Sequence, residues 1–197
     1  DEATEDITKM AAMSPSEKSY FETSVLAHAK HRIAWLLILM FSATITGTII
    51  TRYENAFAAI PLLVSFIPML MDTGGNCGSQ SSTLIIRGIA LGEIQFSDLF
   101  RVMFKEFRVS LIVGVALALA NGIRILIMYK NAGLALVIGL SLVATIVISK
   151  LIGCALPLIA KKLHMDPAIM ASPLITTLVD TCSILIYFNI ATQVFQL

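Results

Sequence analysis

The chain has 197 residues, 57% of them hydrophobic and 14% charged, against roughly 45–50% apolar and about 25% charged in an ordinary soluble domain. That composition describes a membrane protein and excludes a cytosolic enzyme. Fourteen Lys and Arg against 13 Asp and Glu leave a formal charge of +1, without the basic surplus of a nucleic-acid-binding domain.

The chain begins at Asp1 with neither a Met nor a signal-peptide pattern and reads as a piece of a longer protein. Residues 1–30 read as a cytoplasmic linker and lead-in. Ile7, Met10 and Ala11 share one helical stripe, and Ser14, Pro15 and Glu17 form a capping-box pattern from which a second helix should run into the membrane. Residues 31–197 read as an all-α membrane domain of five transmembrane helices, because a span needs about 20 predominantly apolar residues. The stretches are 33–51, 55–86, 109–129, 131–160 and 167–197. The first is uncharged, and the others carry Asp72, Arg124, Lys150 and Asp180 as their single charges. Between the second and third, Ser97 is a candidate N-cap for a helix that lies along the inner interface or extends the third span. The three cysteines, Cys77, Cys154 and Cys182, have no CxxC or Cys/His ligand spacing, so neither a disulfide framework nor a zinc site follows.

Lys and Arg in short connections set orientation. With the N-terminus inside, eleven of the 14 basic residues fall on or near the inner side, and only Arg52, Arg124 and Lys130 fall outside. The expected protein is a multi-pass protein of the cell membrane, with a cytoplasmic N-terminus and an external Leu197. Arg124 and Lys150 are expected to snorkel toward helix ends.

Asp72 and Asp180 are too short to snorkel, so each needs protein, water or an ion beside it. Ser172, Thr176, Asp180 and Ser183 are spaced i, i+4, i+8 and i+11, which places them on one helical stripe that Tyr187 extends. Ser65, Asp72, Asn76 and Thr83 make a similar stripe on the second span. Two polar stripes in apolar helices suggest a water-containing path. The segment with Gly74, Gly75 and Gly78 has two readings. The helix opens there and offers carbonyls to an ion, or a GxxxG pair forms a packing face, with Asn76 and Gln80 bonding across helices. Few acids and many hydroxyls suit a hard divalent cation such as Mg²⁺, which keeps several waters and takes only one or two carboxylates, though composition alone does not separate Mg²⁺ from protons or Na⁺.

Two runs carry a family resemblance. One is Pro68-Met-Leu-Met-Asp-Thr-Gly-Gly-Asn-Cys-Gly-Ser-Gln80 followed by Arg87-Gly-Ile-Ala-Leu-Gly92; the other is Asp166-Pro-Ala with Ser172-Pro173, Thr176-Thr177, Asp180 and Tyr187-Phe188. The chain resembles the MgtE family of magnesium channels over spans two to five, and residues 1–13 resemble the family's helix that joins cytosolic domains to the pore. The resemblance implies a Mg²⁺-selective channel, not an enzyme, built as a homodimer in the lipid bilayer with five spans per subunit and its pore on the two-fold axis. It implies that paired Asp180 carboxylates bind hydrated Mg²⁺, the transported ion, with the Thr176 carbonyl near the same site. Asp72, Asn76, Ser172 and Ser183 would line the pore, with Gly74, Gly75 and Thr177 as further lining candidates. Family members often carry Asn where Ser172 stands and small residues at Asp72, Thr176 or Ser183. Full-length members also carry an N-terminal superhelical domain and paired CBS domains that close the channel at high cytosolic Mg²⁺. Neither is present here, so weakened Mg²⁺ feedback is expected.

Three rival readings remain. A proton- or Na⁺-coupled divalent cation transporter also uses isolated carboxylates and a broken helix. A dimerising scaffold would use the polar residues for packing alone. An intramembrane hydrolase would need a base for Ser79, Ser81 or Ser82, and no His lies at membrane depth.

Overall fold

The computed structural model describes residues 7–11, 20–170 and 172–196, and among them all regular structure is helical. Residues 7–10 form a single helical turn. The pattern at Ser14, Pro15 and Glu17 lies outside the described residues. Residues 20–23 form a turn and a bend, so no helix runs from there into the first span. Instead α1, Val25–Arg52, starts at Ser24, whose Oγ accepts the Ala27 N–H at 3.3 Å.

The second expected span is divided by prolines. A short α2, Glu54–Ala59, ends where Pro61 lacks an N–H and holds Ile60 extended, with φ −135° and ψ 81°. A 3₁₀ segment, Pro61–Phe66, follows, and Pro68 in the first turn opens α3, Ile67–Ala90. The helix is regular through Gly74, Gly75 and Gly78. The interruption expected at the glycines therefore lies before them, at Ile60 and Pro61, and the packing reading of the glycines holds.

A 3₁₀ turn, Phe96–Asp98, leads directly into α4, Leu99–Tyr129. Ser97 is not its cap. The Gln95 N–H donates to Asp98 Oδ2 at 3.0 Å, and the amphipathic segment simply extends the third span. Lys130 closes α4 in the left-handed region at φ 51°, and Asn131 Oδ1 accepts the Leu134 N–H at 2.9 Å to open α5, Ala132–Lys162. After the 3₁₀ turn Pro167–Met170, α6 runs over Ser172–Phe195.

By length and apolarity, Val25–Arg52, Phe96–Tyr129, Ala132–Lys162 and Pro167–Phe195 qualify as membrane-crossing segments. Among the described residues these are four, not the five expected. With 24 residues, α3 is about 36 Å long at 1.5 Å per residue, enough to cross, but its Gly, Ser, Asn and Thr content lowers its apolarity.

That polar helix is nonetheless central. It packs against α5 and α6, α4 packs on α5, and α1 leans chiefly on α6. Leu63, Phe66 and Leu70 join Leu134, Ile138 and Leu142 of α5 and Ile184 and Phe188 of α6 in the main core. Tyr187 is fully buried in that core and donates to the Leu63 carbonyl at 2.8 Å, an acceptor in the 3₁₀ segment. It does not extend a polar stripe outward. Lys150 does not snorkel either: only 5% exposed, it sits beside Glu106.

Candidate ion pathway

Small residues let α3 approach its neighbours closely. A Cβ on Gly75 would sit 2.9 Å from Thr176 Cγ2, and one on Gly74 would meet Thr145 and Val179 methyls at 2.8 Å. At Gly78 the contact is with Ile175 and the Ser149 carbonyl, while a methyl on Gly153 of α5 would overlap the Gly78 carbonyl. Close backbone approach of this kind is how membrane helices associate when apolar burial supplies no drive.

One face of α3 is thereby buried, and the opposite face stays open. Asp72, Asn76, Gln80 and Thr83 are exposed at spacings of four, four and three, one helical face about 16 Å long. Gln80 belongs to this stripe, a placement that its expected cross-helix bonding did not suggest. Asp180 is half-buried on α6, which packs against α3. Among the described residues no three His, Cys, Asp or Glu side chains cluster as a metal-binding group. The chemistry offered by one chain is two carboxylates, on α3 and α6, with two amides and a hydroxyl along an exposed helix face, which suits a hydrated hard cation better than a stripped one.

The other expected residues divide. Thr176 is half-buried against Gly75, its Oγ1 donating to the Pro173 carbonyl at 3.0 Å. Its own carbonyl lies within the helix, where an oxygen keeps a second lone pair for an ion-bound water. Thr177 donates to the same Pro173 carbonyl at 2.9 Å, one turn before Thr181, which meets Thr46 of α1 at 2.8 Å. Ser183 is 1% exposed, donates to the Val179 carbonyl at 2.7 Å and faces Gly74, away from Asp72 and Asn76. Gly74 and Gly75 are buried packing positions. Ser172 begins α6, and its side chain lies outside the described residues.

Outside the membrane segments, Lys9 Nζ bonds Asp166 Oδ2 at 2.7 Å, joining the helical turn at residues 7–10 to the connection between α5 and α6. Partial burial disfavours the Asp166 carboxylate, but the Lys9 ammonium, the Ala168 N–H and Lys161 outweigh it and hold its carboxyl below the usual carboxylate range.

Long apolar helices packed around a polar, glycine-rich one, with carboxylates at membrane depth, define a multi-pass helical membrane protein. Residues 67–190 match the MgtE family, described as a divalent cation transporter, and the chain belongs to that family. Over 191 residues it is 39% identical to the magnesium transporter MgtE of Bacillus subtilis and 36% identical to that of Thermus thermophilus. Those alignments cover 97% and 96% of this chain but 42% of each relative. The chain thus spans about two fifths of the length of the curated relatives it matches.

Proposed function

We propose that this chain is the membrane part of a Mg²⁺-selective channel that works as a homodimer. The observation that carries the reading is the open face of α3. Asp72, Asn76, Gln80 and Thr83 are exposed on a helix packed among apolar ones, and hydrocarbon satisfies none of them. A second copy facing this surface across a two-fold axis would enclose a polar path and double its carboxylates. On this reading α3 is the fifth membrane crossing, the N-terminus is cytoplasmic and Leu197 is external. Residues 1–30 form the linker from cytosolic domains beyond this chain, and residues 31–197 form the pore domain.

Two Asp180 carboxylates, one from each subunit, would attract a hydrated Mg²⁺, with Thr176 carbonyls accepting hydrogen bonds from its water shell. At an effective dielectric of about 20, opposite unit charges 4 Å apart interact at about 4 kcal/mol. A divalent ion between two carboxylates therefore offsets much of the cost of holding them in a membrane. Asp72 and Asn76 would carry the path inward along α3. Ser172, at the start of α6, would line the path and Thr177 would stand near its outer wall, while Ser183, Gly74 and Gly75 would hold α3 and α6 together behind it.

The test is Mg²⁺ uptake into liposomes containing the chain, read with an internal dye and compared with Asp180→Asn at equal dimer content. The expected result is a loss of roughly tenfold or more in the variant, as when a fixed charge that faces the ion is removed. Equal uptake in both overturns the role of Asp180. Uptake that follows an imposed proton or Na⁺ gradient would replace the channel by a coupled transporter.

A further inference from the structure

Opposite its open face, α3 carries a buried stripe of Gly74, Gly78 and Ser81, at i, i+4 and i+7. Ser81 Oγ donates to Glu106 Oε2 of α4 at 2.6 Å and accepts from Lys150 Nζ of α5 at 3.2 Å. Lys150 Nζ and Glu106 Oε2 are themselves 3.6 Å apart. Exposure falls to 0% for Ser81, 5% for Lys150 and 9% for Glu106. Three helices thus meet at one hydroxyl that both donates to and accepts from a buried ion pair.

The location gives this cluster a consequence. Each charge is expensive at membrane depth without the other, so the pair forms as a unit between α4 and α5. Leu70 and Ile85 seat α3 in apolar cores, and Ser82 donates to the Met170 carbonyl at 3.1 Å, but along the buried stripe the glycines present no side chains that would resist turning. There Ser81 adds a polar restraint, because rotation by one residue, about 100°, would take its hydroxyl off the pair. The same rotation would swing Asp72, Asn76 and Gln80 away from the open face. The crossing of Gly78 over Gly153 lies one turn from Ser81, so pivot and restraint act at nearly the same depth.

We propose that Ser81, Lys150 and Glu106 form a buried latch that sets the rotational position of α3, which makes Lys150 and Glu106 positioning residues for the ion path. The consequence for transport rests on the magnesium-channel reading above. The latch itself is a statement about helix rotation and has its own readout.

The experiment uses the chain in liposomes, with its native cysteines replaced and Thr83→Cys added as a reporter on the open face of α3. Two quantities are measured per folded dimer: Mg²⁺ uptake, and labelling of the reporter by a water-soluble thiol reagent. Ser81→Ala, which leaves the ion pair intact, tests the latch without leaving a charge unpaired. Glu106→Gln, Lys150→Met and the double variant test the pair. Ser81→Ala and each single charge variant should lower both uptake and labelling by roughly tenfold, the lower end of the loss when residues that orient an ion site are removed. The double variant should stay as low as Ser81→Ala, because it too leaves α3 without its anchor, whereas Lys150→Arg should restore both readouts. Unchanged labelling in Ser81→Ala overturns the latch, whatever happens to uptake. A parent chain with no Mg²⁺ uptake, but with labelling that falls in Ser81→Ala, would refute the channel reading and support the latch.

Discussion

α1 and α3 invert the rule learned from soluble proteins. α1 is apolar over most of its 28 residues, yet among its described residues only Thr46 is buried. Leu36, Phe41 and Ile45 are more than half exposed. α3 carries glycines, hydroxyls, an amide and a carboxylate, yet it packs between α5 and α6. The difference teaches that in a bilayer apolarity does not select the inside, because lipid tails are as apolar as leucine. Close approach and hydrogen bonding select it.

Glycine substitution breaks the comparison most sharply. Gly153→Ala places a methyl on the Gly78 carbonyl where α5 crosses α3. It should cost about 1–3 kcal/mol, the usual range for overpacking. Gly47→Ala on α1 meets nothing within 4 Å and should be neutral or stabilising by up to about 1 kcal/mol through helix propensity. Unfolding by denaturing detergent measures both; equal effects would erase the distinction between the two helices.

A smaller effect is expected where α1 makes a part-buried polar contact with α6. Thr46→Val removes the 2.8 Å bond to Thr181, and Thr181 keeps a bond to the Thr177 carbonyl at 3.1 Å. The expected loss is about 0.6 kcal/mol, the average for such bonds between membrane helices. A loss of several kcal/mol in the same assay would show that α1 is tied in as firmly as α3.

The smallest effect lies outside the membrane. Because the Asp166 carboxyl is held below its ordinary range, its contribution is present above the unfolded carboxylate pKa and lost as pH falls through the lower folded value. The Lys9 pair is partly exposed, at 22% and 30% for its two side chains, so it should contribute about 0.3 kcal/mol and weaken with salt. Lys9→Met should flatten the acid limb of the stability profile below about pH 4. An unchanged limb would remove the pair from the account.

Several features were legible from residue order alone. Composition gave a membrane protein, and stretches with at most one charge located the four apolar helices together with a fifth that the structure divides before Ile67. Asp72, Asn76 and Thr83 at helical spacing predicted one polar face, which the structure leaves exposed, while Ser65, expected on the same face, lies in the 3₁₀ segment ahead of the helix. Periodicity suffices for these because each depends on one helix in one solvent. It misled at Tyr187 and Ser183, which share the spacing of Asp180 but turn toward α3 and the core. A helix with polar groups on more than one side does not say which side meets a neighbour.

What only the tertiary structure decided are relations between helices. Prolines, not glycines, divide the second apolar stretch, since a missing N–H breaks a helix while a missing side chain merely lets another helix come near. Lys150 looked like a residue close enough to a helix end to reach water. Its partner, Glu106, lies 44 positions earlier in the chain, and Ser81 lies 25 positions before that. No local pattern links the three. Sequence set how polar each helix is, and packing in three dimensions decided which polar groups face one another and which face out.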